Sequence, residues 1–200
     1  MAMLELVIFI ASIVLVMIIL RKLPLEKEVV KKLAHEAGQL DKEGEEEDKD
    51  EDIIAKADRL AQVGDYQKAE RIYLRLITND PQNSSLYNKL ALVYLGDKSY
   101  DDAANALEQA LQLEPDNDTF YNNQGLLLYQ QGHYDESVDS YEKSISINNK
   151  VASRFMNLGL AYFMSKKYRK AADAYEKSLI LEPHNEEFKR LLADAEAKLK

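Results

Sequence analysis

Residues 87–115, YNKLALVYLGDKSYDDAANALEQALQLEP, and residues 155–183, FMNLGLAYFMSKKYRKAADAYEKSLILEP, overlay without a gap. Each runs from an aromatic residue through a small residue to a tyrosine, then through alanine to a closing proline. The offset between them (155−87) is twice 34, and the shorter interval governs most of the chain. Tyr66, Tyr100, Tyr134 and Tyr168 keep it, as do Ala69, Ala103, Ser137 and Ala171. So do Tyr73, Leu107, Tyr141 and Tyr175, and also Pro81, Pro115, Asn149 and Pro183. Ahead of each tyrosine lie three more sets in phase. They are Ile53, Tyr87, Tyr121 and Phe155; then Ala57, Ala91, Gly125 and Gly159; then Leu60, Tyr94, Leu128 and Tyr162. Columns that agree over four copies define a structural repeat rather than a run of local preferences.

The spacing predicts two short helices per copy, Ser84–Asp97 and Asp101–Leu113 in the second, because apolar residues recur there at helical intervals. The small column lets the two helices approach, since a larger side chain would force them apart. Gly125 therefore has a packing reason that outweighs its helix-propensity cost of about 1 kcal/mol. A closing proline cannot continue a helix and sets the turn into the next copy. No copy buries its apolar face alone, so stacking must supply the core and the ends need polar caps. Beyond Pro183, Phe188, Leu191, Leu192 and Ala195 keep the phase before the chain ends in charge, as a capping helix would.

These columns resemble the tetratricopeptide repeat, with its pattern large-x-x-L-[G/A]-x-x-Y, then A-x-x-x-[F/Y/L], then P. The departures are Lys56 and Gln124 for leucine, Ser137 and Ser144 for alanine, and Asn149 for proline. The resemblance implies an all-α, right-handed solenoid of about four helix-turn-helix repeats over 50–83, 84–117, 118–151 and 152–185, capped by 186–200. It also implies that first helices line a concave surface in which peptides or helices lie. The columns that map there are Ile54, Asn88, Asn122, Met156; Ala55, Lys89, Asn123, Asn157; and Asp58, Leu92, Leu126, Leu160. Leu95, Tyr129 and Phe163 follow one turn on. The candidate groove residues are accordingly Asn88, Lys89, Leu92, Asn122, Asn123, Leu126, Tyr129, Asn157, Leu160 and Phe163. Carboxamides both donate and accept, which suits them to a ligand backbone. Relatives that clamp chaperone C-terminal carboxylates use Lys and Asn, then Asn, then Lys and Arg. Those places hold Asn88, Leu92, Asn123, Ser153 and Asn157 in one register, and Ile54, Asp58, Lys89, Thr119 and Asn123 in the other. Without the cations, charge-assisted bonds to a carboxylate are missing, so that mode is not expected.

The N-terminus reads differently. MAMLELVIFIASIVLVMIIL, residues 1–20, carries one charge, Glu5. About 20 apolar residues match a hydrocarbon core of roughly 30 Å, which predicts a transmembrane helix. No Lys or Arg precedes Arg21 and no small-residue cleavage pattern closes the segment, so an anchor is expected rather than a cleaved signal. Arg21, Lys22, Lys27, Lys31 and Lys32 put everything after Leu20 on the cytoplasmic side, with the N-terminus outside. Over 21–40, Leu25, Val29, Leu33, Ala37 and Leu40 form one stripe of an amphipathic juxtamembrane helix. Residues 41–52, DKEGEEEDKDED, hold nine carboxylates against two lysines and read as a solvated linker. Asp48, Asp50 and Asp52 alternate as in a calcium loop, but Ile53 and Arg59 stand where that loop needs Gly and Glu.

The bulk properties narrow the function. Among 200 residues, 35 acidic side chains exceed 26 basic ones, and no concentrated basic face points to nucleic acid. The absence of cysteine removes disulfides, thiolate metal sites and cysteine nucleophiles. His35, His133 and His184 share no ligand spacing. No catalytic residue, metal or cofactor is expected. The expectation is a membrane-anchored adaptor, in a bacterial inner membrane, with a protein partner. A self-associating scaffold, an organelle docking or import receptor and an exported domain are the alternatives on the same architecture.

Overall fold

A computed structural model describes residues 50–200, with side chains from Ile53. The membrane segment expected at 1–20, the stripe at 21–40 and the linker up to Lys49 lie outside these residues. No described helix is long and apolar enough to cross a membrane. The described chain is helical throughout, with α1 Asp50–Gln62, α2 Tyr66–Asn79, α3 Ser84–Asp97, α4 Tyr100–Leu113 and α5 Asp118–Gln130. It continues through α6 Tyr134–Ile147, α7 Ala152–Met164, α8 Tyr168–Leu181 and α9 Glu186–Ala197. Asp50, Glu51 and Asp52, where the expected linker and the expected first repeat overlap, open α1.

Helices pair in sequence as α1–α2, α3–α4, α5–α6 and α7–α8, and α9 packs on α8. Each first helix ends in a tight turn in which the residue two places before the column tyrosine takes a positive φ. Gly64 and Gly132 (φ 83°) do so in the first and third repeats, Lys98 (φ 63°) and Lys166 (φ 60°) in the others. The helix starts at Asp118 and Glu186 are capped by Asn117 and Asn185, whose Oδ1 atoms accept from backbone N–H groups one turn on.

The small column meets the large one within each repeat. A Cβ added to Gly125 would lie 2.7 Å from the Tyr141 ring, and one added to Gly159 would lie 2.4 Å from Tyr175. Both rings are buried. In the two flanking columns, Tyr121 and Leu128 are half-buried. The Lys143 ammonium lies over the Tyr121 ring at 5.6 Å. Buried apolar side chains form two clusters. One joins Ala57, Tyr73, Leu90, Ala91, Leu107 and Leu127; the other joins Tyr141, Leu158, Tyr162, Tyr175 and Ala195. The division falls in the third repeat, where Ser137, Ser140 and Ser144 are buried in α6.

Candidate binding groove

Successive first helices α3, α5 and α7 approach one another, whereas no comparable approach joins successive second helices. A stack closer along one layer than the other curves toward the closer layer, so α3, α5 and α7 form the inner face. The candidate residues all lie on these three helices.

The amides are tied to one another. Asn157 Nδ2 donates to Asn122 Oδ1 at 3.1 Å, and Asn122 Nδ2 donates to Asn123 Oδ1 at 3.3 Å. Asn123 Nδ2 then donates to Asn88 Oδ1 at 2.7 Å. Four carboxamides thus run as a chain across three repeats, which is possible only because the 34-residue period brings the same helical face to each level. Asn88 and Asn123 are buried, while Asn122 and Asn157 are half-buried. Asn123 was expected to look outward. Its burial follows from that chain, since a buried amide is tolerated when its donor and acceptor find partners.

Lys89 is also engaged within the protein. Its Nζ donates to both Asp58 oxygens, at 3.0 and 2.8 Å, and Tyr73 Oη donates to the same carboxylate. Partial burial resists ionisation of Asp58, but the Lys89 and Tyr73 bonds outweigh it and hold the carboxyl below its ordinary value of 3.8. Burial, with Asp58 facing it, pushes the Tyr73 hydroxyl up. The first and second repeats are therefore joined across the inner face by an ion pair that leaves little net charge there.

Apolar side chains remain available. Leu92 is exposed, and Leu126, Leu160, Tyr129, Phe163 and Met156 are half-buried. Tyr129 meets Tyr134 edge to face at 5.4 Å, and Phe163 meets Tyr168 at 5.2 Å, so two groove aromatics are held by tyrosines of the 34-residue column. Among the described residues no group of His, Asp or Glu is arranged to hold a metal ion.

One feature of the inner layer was not anticipated. Arg154 of α7 is buried and paired with Asp118 of α5, and its guanidinium also reaches the Asn148 carbonyl at 3.3 Å and Thr119 Oγ1 at 3.4 Å. Burial lowers the pKa of the guanidinium. The signal lay in the sequence, because the residues in phase with Arg154 on α3, α5 and α9 are Leu86, Phe120 and Phe188, all buried and apolar.

The tetratricopeptide repeat family matches residues 54–104 and 89–150, and again residues 152–185. No curated protein sequence matches the chain. Among solved structures it is similar to MamA from Desulfovibrio magneticus RS-1, at 18% identity and TM-score 0.66, over 76% of this chain and 85% of that one. It is similar to PilF from Pseudomonas aeruginosa at 24% identity and TM-score 0.68, over 74% of this chain and 68% of that one. The first repeat domain of Spaghetti (RPAP3), solved with an HSP90 peptide, matches at 21% identity and TM-score 0.57, over 60% of this chain and 95% of that one. At these identities the likeness is one of fold.

Proposed function

The chain belongs to the tetratricopeptide repeat family, and on that premise we propose that it is a protein-interaction adaptor. In this reading residues 1–20 hold it in a membrane, with the repeats on the cytoplasmic side of a bacterial inner membrane. Its α3, α5 and α7 face receives a segment of a partner protein. The observation that carries the reading is the apolar line Leu92, Leu126 and Leu160, which stands in register on the inner face with one member exposed. Similar repeat domains engage peptides, as the Spaghetti domain does with its HSP90 peptide. The carboxylate-clamp positions here hold no cation that is not already paired, so a chaperone tail of that kind is not the expected partner.

The chain has no cysteine, so single introduced ones report cleanly. Photo-crosslinking amino acids placed at Leu92 and Leu126 in the full chain should give partner adducts in intact cells. The same group at Ile180, 76% exposed on a second helix, should not. Adducts from Ile180 alone, or only chain-to-chain adducts, would count against the adaptor reading. Labelling of a cysteine at Ile180 by an impermeant reagent from outside would overturn the orientation.

A further inference from the structure

We infer that the groove is built for an amphipathic helix with an uncharged apolar strip, rather than for an extended strand. The inference rests on the groove being the binding face and adds what kind of segment fills it.

Three observations carry it. The first is the register of Leu92, Leu126 and Leu160, one per first helix. Packed helices stand about 8–10 Å apart, which sets the step between these leucines. A helical ligand rises about 1.5 Å per residue, so the step spans about six to seven residues. Residues seven apart lie on nearly the same helical face, and one strip can reach all three leucines. An extended strand covers the step in about three residues at roughly 3.3 Å each. Its side chains alternate, so successive leucines would meet opposite faces of the strand.

The second observation is the amide chain. A strand added to a groove needs donors and acceptors for its backbone. A polyproline II segment keeps every third residue on one face, but it has no internal hydrogen bonds and needs groove donors as well. Here the Nδ2 groups of Asn157, Asn122 and Asn123 already donate to the Oδ1 atoms of Asn122, Asn123 and Asn88 respectively. A helix satisfies its own backbone and asks nothing of them.

The third is charge. In the inner-face columns the ionic groups are Asp58 and Lys89, and they neutralise each other. A contact strip bearing Lys, Arg, Asp or Glu would lose hydration there without gaining a partner. The occupant is therefore a helix of at least about four turns, with apolar residues at i, i+7 and i+14, contributed by another protein.

The test uses the full chain and a display library of random 20-residue peptides, with recovered peptides measured by fluorescence anisotropy. The expected peptides carry apolar residues seven apart and become helical when bound. Leu126→Lys with Leu160→Lys should weaken their binding at least tenfold, whereas Asn122→Ala should change it less than threefold. Because Leu126 and Leu160 are half-buried, the exposed Leu92→Lys serves as a second variant that leaves folding intact, checked by circular dichroism. Peptides with alternating or proline-rich patterns, or a tenfold loss on Asn122→Ala, would overturn the helix and keep the groove. Peptides indifferent to all three lysine substitutions, or no recovered peptide, would sink the groove reading with it. Self-association lost on Leu92→Lys would replace the partner helix by a second copy of the chain.

Discussion

An added methyl at Gly125 has nowhere to go, because the Tyr141 ring would stand 2.7 Å away and is itself buried. In a helix interior alanine is favoured over glycine by about 1 kcal/mol, so the bare propensity argument predicts stabilisation. Overpacking a filled site costs about 1–3 kcal/mol and works the other way. Urea unfolding of Gly125→Ala should show a net loss in that range, and a gain would refute the packing account. The size of this residue was legible in the sequence, since only alanine and glycine occupy Ala57, Ala91, Gly125 and Gly159 of one 34-residue column. That Tyr141 is what it makes room for follows from the fold alone.

At the scale of the helix, α7 presents a buried cation where α3, α5 and α9 present Leu86, Phe120 and Phe188. Removing one partner of a buried pair leaves the other charge without compensation, whereas replacing both by packed groups is often neutral or stabilising. Arg154→Leu alone is therefore expected to lower stability by about 2–4 kcal/mol. Adding Asp118→Ser, which leaves an uncharged pair as Ser84 and Phe120 do one repeat earlier, should recover most of that loss. A double variant as unstable as the single one would show that the arginine acts through its other contacts, Thr119 and Asn148. The break in the column could be read from the sequence. Its partner could not, because Asp118 also sits where an acidic residue favours a helix start.

Across the whole repeat domain, stability should not be uniform. The apolar interior is divided into two clusters, and the third repeat places polar groups between them. There Ser140 Oγ donates to Gln124 Oε1 at 3.1 Å, and Ser144 Oγ donates to the Asp118 carbonyl at 2.7 Å. The second repeat has Ala106 and Leu90 at the places of Ser140 and Gln124, both buried. Repeat arrays unfold by units whose coupling depends on each interface. Native-state hydrogen exchange should therefore show two levels of protection, changing within the third repeat. Gln124→Leu with Ser140→Ala should bring them together. A single uniform level in the original protein would contradict the division.

The sequence by itself determined the period, the helix pairs, the column of small residues and the in-phase leucines Leu92, Leu126 and Leu160. These are local or strictly periodic, and a 34-residue repeat converts each local choice into a column. Only the tertiary structure decided which polar groups meet. Asn88, Asn123, Asn122 and Asn157 looked like open hydrogen-bonding groups, and the approach of successive first helices turned them into a chain. Lys89 looked like a groove cation, and Asp58 of the preceding repeat took it. Apart from the adjacent Asn122 and Asn123, these bonds depend on ångström distances between residues 31 to 36 apart in sequence, and periodicity places such residues at the same level without saying which of them will touch.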